Sequence, residues 1–476
     1  MRDTIAVMGV PIDNVDMALA LERIDAFVAA GGFHQVATVN TDFVVKALHD
    51  AELRIILRQA DLVLPDGMPI VMASRWLRAP LRERVTGADL VPLLAARAAR
   101  RGYRLFMLGA RPDVAAAARE RMERENPGLR VVGCMSPPVG SVVTMDNQSI
   151  LSRIDEARPD ILLVAFGNPK QEKWIHMHRD RLRVPVCVGV GGTFDFIAGA
   201  TARAPGWMQR SGLEWLYRLA QEPRRLWRRY GSDLLWFGRF LAAQVRHTRS
   251  RAGAASCDLR VAECGGAVVA SGAGALGRST VPALHAAAER ARAAGGLLVV
   301  DLAGVSAVDS AALGALLVMA VRGGDGGPSV RLAGAAPALR RSMDAAHVLD
   351  AVPAFATVDE ALAAPTPRLE PLRATASAGC AAIRVQGPAD WRVAEELRRQ
   401  CAAMGDGVRQ VRFDLSGASY VGVAMLAALH SERERLAARG VSVEVIEGPV
   451  VRAALARERL PGLFGGGRAA TGAPCA

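Results

Sequence analysis

The stretch Phe166-Gly-Asn-Pro-Lys-Gln-Glu-Lys-Trp174 places a turn, two cations and a Gln amide between an apolar run and a stretch of helical composition. Asp160 to Phe166 reads as a buried parallel strand and Gln171 to Leu182 as a helix. Asn168-Pro169 is the punctuation between them, because Pro suits the first turn of a helix. The polar groups then sit at the carboxyl end of a strand and the amino end of a helix. Open α/β sheets bind ligands there, and the free N–H groups of a helix start attract phosphate. A site for a phosphorylated ligand is the first expectation.

Thr38-Val-Asn40 and Pro65-Asp-Gly67 end two further strands, so Thr38, Asn40 and Asp66 can converge on one crevice. A carboxylate there acts as a general base if it lies within hydrogen-bond reach of a hydroxyl. On these residues alone, an ordinary Asp-Gly turn explains Asp66-Gly67 as well. Leu81-Arg-Glu-Arg-Val-Thr-Gly87 adds Arg84 before a turn, and by itself reads as a surface charge run. Gly189-Val-Gly-Gly-Thr-Phe-Asp195 puts three glycines after a strand, where backbone can approach a ligand closely. It is not G-x-G-x-x-G, so a nicotinamide enzyme is disfavoured. The turn at Gly109 reads as ordinary strand–helix packing.

With no H-E-x-x-H and no Asp-x-Asp, neither a catalytic metal nor a cofactor is expected. If a diphosphate leaves during a reaction here, arginines and backbone amides have to stabilise it. Leu213 to Tyr230 can supply them: Arg218, Arg225 and Arg228 fall on one helical face, and Pro223 kinks or divides that helix. Trp215, Trp227, Trp236, Phe237 and Phe240 stand among the arginines. The mixture suits an anionic membrane surface, a nucleic acid, or a core-packing helix with a solvated basic face.

The elements that must position these residues alternate. Gln35 to Val39, Leu62 to Leu64, Arg104 to Gly109, Asp160 to Phe166 and Val184 to Val190 read as strands; Asp42 to Ala60 and a stretch from about Asp113 read as helices. Such alternation predicts a largely parallel sheet covered by helices. The 476 residues suffice for two to four domains. Of the net charge of +12, a surplus of eight lies between Thr201 and Arg251, where eleven Arg face Glu214, Glu222 and Asp233. Seven scattered cysteines form no C-x-x-C pair, as expected of a reduced cytosolic protein without a zinc site. No signal peptide and no membrane-spanning run are expected.

Residues 247–256 read as a linker, and the two blocks after it repeat each other. Asp301-Leu-Ala-Gly-Val-Ser aligns without gaps to Asp414-Leu-Ser-Gly-Ala-Ser, an offset of 113 residues that suits two small tandem domains. Each has an apolar strand, a turn, a helix beginning near Ala311 or Ala424, and a later strand and helix.

Taken together, Thr38-Val-Asn40, Pro65-Asp-Gly67, Glu83-Arg-Val-Thr-Gly87, Phe166 to Glu172, Gly189 to Asp195 and Gly212-Leu-Glu-Trp-Leu-Tyr-Arg218 resemble the motifs of the WecG/TagA/CpsF glycosyltransferase family (family 26), in that family's order. The resemblance implies a Rossmann-like transferase domain over 1–248, with 201–248 as a basic membrane-proximal appendage. It implies metal-independent, inverting transfer of an N-acetylmannosamine-type sugar or related hexose from a UDP-sugar to a polyprenyl-diphosphate-linked saccharide, in cell-surface or exopolysaccharide biosynthesis. Asp66 would be the general base. Thr38, Asn40, Arg84 and Gln171 would line the pocket, and Arg218, Arg225 and Arg228 would hold the UDP diphosphate. The protein would lie on the inner face of the cell membrane, held at an anionic surface and without a nucleic-acid partner.

The repeats, at 257–365 and 370–466, look like STAS domains, small α/β modules. Their phosphoacceptor motif is Asp-Ser-Ser/Thr-Gly at a helix start. Here the first repeat reads Asp309-Ser-Ala-Ala312 and the second Gly422-Val-Ala-Met425, so neither has the usual hydroxyl. Ser310 is expected to cap its helix, and both domains to be regulatory or to bind an unknown protein partner. The alternative for the whole chain is a non-catalytic adaptor that binds a nucleotide sugar and signals through the STAS pair.

Overall fold

The structure is a computed structural model that describes residues 2–211, 214–221, 231, 235–246, 257–322, 328–365, 372–377 and 379–465. The chain forms two compact units. The first comprises Met1–Ser136, Ala157–Glu172 and Arg183–Pro365; the second comprises Pro137–Glu156, Lys173–Leu182 and Thr366–Ala476. The expected linker at 247–256 and the tail from 466 lie outside the described residues.

In the first unit, β1 (Thr4–Val7) and β2 (Val10–Asp13) make an antiparallel hairpin. Six strands follow: β3 (His34–Val39), β4 (Leu62–Pro65), β5 (Arg104–Gly109), β6 (Arg130–Met135), β7 (Ile161–Ala165) and β8 (Val186–Gly189). They form one sheet in the order β4-β3-β8-β7-β5-β6, with every pairing parallel. The fold is the expected one: a largely parallel α/β sheet, then smaller α/β sheets. β7 and β8 are buried along their whole length, which is why they read as unbroken apolar runs. Gly109 closes β5 with φ +102°, and a Cβ there would lie 2.7 Å from the Ala165 carbonyl oxygen, so only Gly fits against β7.

Two helices differ from expectation. Asp42 to Ala60 is not one helix but two, Thr41–His49 and Ala51–Gln59. Asp50 between them is extended, and its carboxylate accepts from the N–H groups of Glu52 and Leu53 at 3.1 and 3.3 Å, capping a new helix instead of continuing the old one. The helix after β7 spans Lys170–Met177, shorter than Gln171 to Leu182, because a tighter bond from His178 N–H to Ile175 O ends it.

The first of the two expected STAS-like repeats also belongs to this unit. Its sheet runs Ala354–Phe355, Ser329–Ala333, Leu297–Asp301, Ala267–Ser271 and Arg260–Cys264, the last pair antiparallel and the others parallel. Helix Ser310–Arg322 carries the Asp309-Ser-Ala-Ala sequence at its start. Asp309, not Ser310, caps it: Oδ1 accepts from Ala311 and Ala312 N–H at 2.8 and 2.9 Å. Ser310 already has helical position, and its hydroxyl is buried without a hydrogen-bond partner.

That helix shares a core with the N-terminal hairpin. Along β1, Ile5 and Val7 enter the cluster with Phe43, Leu53 and Ala311, whereas Ala6 enters the STAS core with Leu316 and Leu313. The twofold alternation of a strand thus serves two cores at once. Arg58, held at a lowered pKa of about 10 by burial, donates to Gly9 O at 2.9 Å and to His347 O at 2.7 Å.

In the second unit, Leu372–Ser377, Cys380–Ala389, Gln410–Val421 and Ser442–Ile446 form a four-stranded sheet, antiparallel in its first pair and parallel thereafter. Lys173, expected at the mouth of the ligand site, is buried there instead, with Nζ 2.6 Å from Glu458 Oε1. Trp391 is covered by the guanidiniums of Arg179 at 4.7 Å and Arg392 at 4.4 Å.

Candidate active site

The carboxyl ends of β3, β4, β7 and β8 bring four of the expected site residues to one edge of the parallel sheet. Thr38, in β3, donates from Oγ1 to Gly189 O at the end of β8 (3.0 Å). Asn40 caps helix Thr41–His49, its Oδ1 accepting from Phe43 N–H at 3.3 Å. Asp66 follows β4 directly, and its backbone N–H donates to Val39 O at 2.8 Å. Gly67 lies so close to Asn40 that a Cβ on it would stand 3.6 Å from the Asn40 Cβ. Asp66 Oδ2 faces the N–H of Gly87 at 3.5 Å, a long contact at the start of helix Gly87–Arg101. A Cβ on Gly87 would meet Thr193 Oγ1 at 3.2 Å and Thr38 Oγ1 at 3.6 Å, so Thr38, Asp66 and Thr193 all border Gly87.

Cations border this edge. Arg84 Nη1 pairs with Glu214 at 3.0 Å, and Arg203 Nη1 with Asp89 at 2.7 Å. Arg203 was not singled out by sequence; it stands alone in Ala-Arg-Ala-Pro with no periodic partner. Asp66 is among the carboxylates whose charge raises the Arg203 pKa: burial lowers it, but the Asp89 bond and the charges of Asp89, Glu214 and Asp66 outweigh burial. Burial likewise pushes Asp89 up, and Arg203, Thr86 and Arg84 more than offset it, leaving its carboxyl below the usual range. Nε and Nη2 of Arg203 are buried without a hydrogen-bond partner; Nε has a long ion pair with Glu214 at 3.7 Å, which leaves Nη2 as the unmet donor beside Asp66.

Gln171 is only 1% exposed, and both ends of its amide are engaged. Oε1 accepts from Gly167 N–H at 3.1 Å and from Gly191 N–H at 3.0 Å; Nε2 donates to Glu172 Oε1 at 2.8 Å. The amide ties the turn after β7 to the turn after β8. Arg218 lies in helix Glu214–Gln221, but its side chain, and all of Arg225 and Arg228, fall outside the described residues. Pro223 and Trp227 do too. Among the described residues no group of three or more His, Cys, Asp or Glu is placed to hold a metal ion. None of the described helices is long and apolar enough to cross a membrane.

The model of the Glycosyl transferase WecG/TagA/CpsF family matches residues 5–251, just over half of the chain. The chain belongs to the WecG/TagA/CpsF glycosyltransferase family. It is similar to the N-acetylglucosaminyldiphosphoundecaprenol N-acetyl-beta-D-mannosaminyltransferase of Bacillus spizizenii, 35% identical over 217 residues, which are 46% of this chain and 80% of that protein. The enzyme of the same name from Bacillus subtilis (strain 168) is 35% identical over 194 residues, 41% of this chain and 73% of its own length. That of Staphylococcus aureus (strain MRSA252) is 31% identical over 225 residues, 47% of this chain and 86% of its own. The model described as Mlab, STAS domain matches residues 259–352 and 372–463. This WecG/TagA/CpsF glycosyltransferase therefore carries two STAS domains behind its transferase fold.

Proposed function

We propose that the enzyme transfers an N-acetylmannosamine-type sugar from UDP to the free hydroxyl of a polyprenyl-diphosphate-linked saccharide, with inversion and without a metal. The observation that carries this reading is the gathering of Asp66, Thr38 and Asn40 around Gly67 and Gly87 at the strand ends, in a chain 35% identical to transferases with a diphosphoundecaprenol-linked acceptor in their names. Asp66 takes the proton of the acceptor hydroxyl as its oxygen attacks the anomeric carbon from the face opposite UDP. The bond from that carbon to the diphosphate oxygen breaks, and UDP departs carrying the electron pair. Backbone N–H groups at the glycine turns and the guanidiniums of Arg84 and Arg203, together with Arg218, Arg225 and Arg228, meet the charge that develops.

The acceptor's lipid requires a membrane surface. Trp207, Leu235 and Trp236 are exposed large side chains in the arginine-rich segment, and Met72 and Trp76 are exposed on helix Met68–Trp76, which begins two residues after Asp66. Such apolar groups among cations suit an anionic bilayer interface. The STAS domains take a regulatory or partner-binding role.

The test is UDP release with a UDP-sugar panel and a polyprenyl-diphosphate-linked acceptor, comparing the native chain with Asp66→Asn. Turnover by the native enzyme and its loss by about 10²-fold or more in the variant are expected for removal of a general base. Retained turnover in Asp66→Asn would remove the base assignment. Donor binding without any turnover would favour an adaptor.

A further inference from the structure

Glu172 is wholly buried in the first turn of helix Lys170–Met177, directly after Gln171. Its Oε1 receives the Gln171 amide N–H at 2.8 Å, while its Oε2 is buried without a hydrogen-bond partner. The amide of Gln171 has an oxygen end and a nitrogen end, and only one orientation satisfies its surroundings. The two backbone N–H groups of Gly167 and Gly191 require the oxygen; the carboxyl group of Glu172 requires the nitrogen. Gly189 leaves the space for this pair, since a Cβ there would stand 2.5 Å from Glu172 Oε1 and 2.7 Å from Gln171 Nε2. Gly189 O in turn receives the Thr38 hydroxyl. Glu172 thus stands behind Gln171, one residue removed from the turns and from Thr38.

We propose that Glu172 is a positioning residue for the donor site, its carboxyl group setting which way the Gln171 amide faces and thereby holding the turns after β7 and β8 at the spacing that a nucleotide diphosphate needs. The proposal rests on the donor reading given above and adds a residue that touches no substrate. From β3, uncharged Gln35 meets it, donating to the Glu172 backbone carbonyl at 3.2 Å; β8 presents the backbone of Gly189. The charge acting on it is Lys46 of helix Thr41–His49, which is itself paired with Asp42 at 2.9 Å. Burial pushes the Glu172 carboxyl up to about 8; the Gln171 bond, its own backbone N–H and Lys46 only partly oppose this. At neutral pH the group is an uncharged acid, which suits a site for an anionic ligand. As pH rises through that value, a buried carboxylate appears behind the turns. It attracts the donors that Gln171 now holds and repels a diphosphate.

The experiment is titration calorimetry of UDP into the full chain from about pH 6.5 to pH 9.5, in two buffers of different ionisation enthalpy, with Glu172→Gln and Glu172→Leu alongside. The native protein is expected to lose about tenfold in UDP affinity between about pH 7 and pH 9 and to take up a proton on binding at the upper end. Glu172→Gln keeps an acceptor oxygen without a charge, and is expected to lose the alkaline fall. Glu172→Leu keeps bulk but no acceptor, and is expected to bind UDP more weakly than Glu172→Gln at every pH. A pH-independent affinity in the native chain, an unchanged alkaline fall in Glu172→Gln, or equal binding by the two variants each overturns the proposal. The proton-uptake measurement needs no variant and decides the matter even if the variants do not fold. Absence of UDP binding by the native chain at all pH values sinks the donor reading itself, and the proposal with it.

Discussion

A Cβ placed on Gly314, in helix Ser310–Arg322, would lie 3.0 Å from the Cα of Ile5 in β1. The first STAS domain therefore meets the transferase fold at backbone distance, and Gly is the residue that permits it. The other neighbours of that Cβ are also main chain: Thr4 O at 2.9 Å and Ile5 C at 3.0 Å. Backbone cannot rotate away as a flexible side chain can. Gly314→Leu is expected to force the helix off the hairpin and to cost about 1–3 kcal/mol or more, the usual range for overpacking a filled core. Urea denaturation of the full chain checks this. An unchanged midpoint would mean that the seam yields more easily than its backbone contacts imply.

The second unit should be sensitive to acid, and the sign follows from its histidines. Burial drives His176 down to about 3, with Arg179 and Arg392 adding to the effect. Burial drives His178 well below its ordinary value too, helped by Arg181 and Arg398. An unfolded imidazole binds a proton near pH 6.5. Below that pH the unfolded chain takes up protons that the folded chain refuses, so stability is full above about pH 6.5 and falls as pH drops towards 3. Neither ring nitrogen of His178 has a hydrogen-bond partner, and the ring meets Trp174 edge-on at 4.9 Å. His178→Phe keeps the ring contact and removes the titration. The variant should lose less stability than the native chain between pH 7.5 and pH 5 in urea melts. Parallel losses would place the acid sensitivity elsewhere.

How far the sequence reveals this molecule depends on whether the deciding partner is local. Arg104–Gly109 was readable as a strand to the residue, because its burial is written in consecutive apolar side chains ending in a Gly. Thr38, Asn40 and Asp66 group from the sequence because each stands at or just after a strand end, and a parallel sheet gathers its carboxyl ends at one edge; Arg84 lies outside any strand end and joins them only through the family resemblance. The helix break at Asp50 is the exception: its carboxylate caps N–H groups only two and three residues on, yet helical composition continues across it and hides the break. Lys173 reads as a ligand-facing cation, yet its partner Glu458 lies 285 residues away. Gln171 was expected to line a pocket. The two glycine N–H groups that donate to its Oε1 lie in separate turns, one of them 20 residues distant, so its role as a bracket emerges only in three dimensions.

Arg203 was missed for the same reason and makes the last prediction. Its partners come from two other elements, Asp89 at 2.7 Å and Glu214 at 3.7 Å. The Glu214 carboxylate also pairs with Arg84, so one acid restrains both cations beside Asp66. Nη1 of Arg203 is taken by Asp89 and Nε faces Glu214, but Nη2 is a buried donor without a hydrogen bond. A buried charged donor left unmet costs free energy, and an incoming diphosphate oxygen can satisfy it at little reorganisation. Arg203→Ala is expected to lower kcat/KM for the UDP-sugar by about 10- to 100-fold, the equivalent of losing one charged hydrogen bond of about 1.5–3 kcal/mol. Arg203→Lys should recover only part of the loss, since an ammonium lacks the planar fork that bonds Asp89, faces Glu214 and still presents Nη2. Steady-state UDP release checks both, with circular dichroism as the fold control. If kcat/KM is unaltered in Arg203→Ala while the melting temperature falls, Arg203 is an anchor for Asp89 and Glu214 and takes no part in holding the donor.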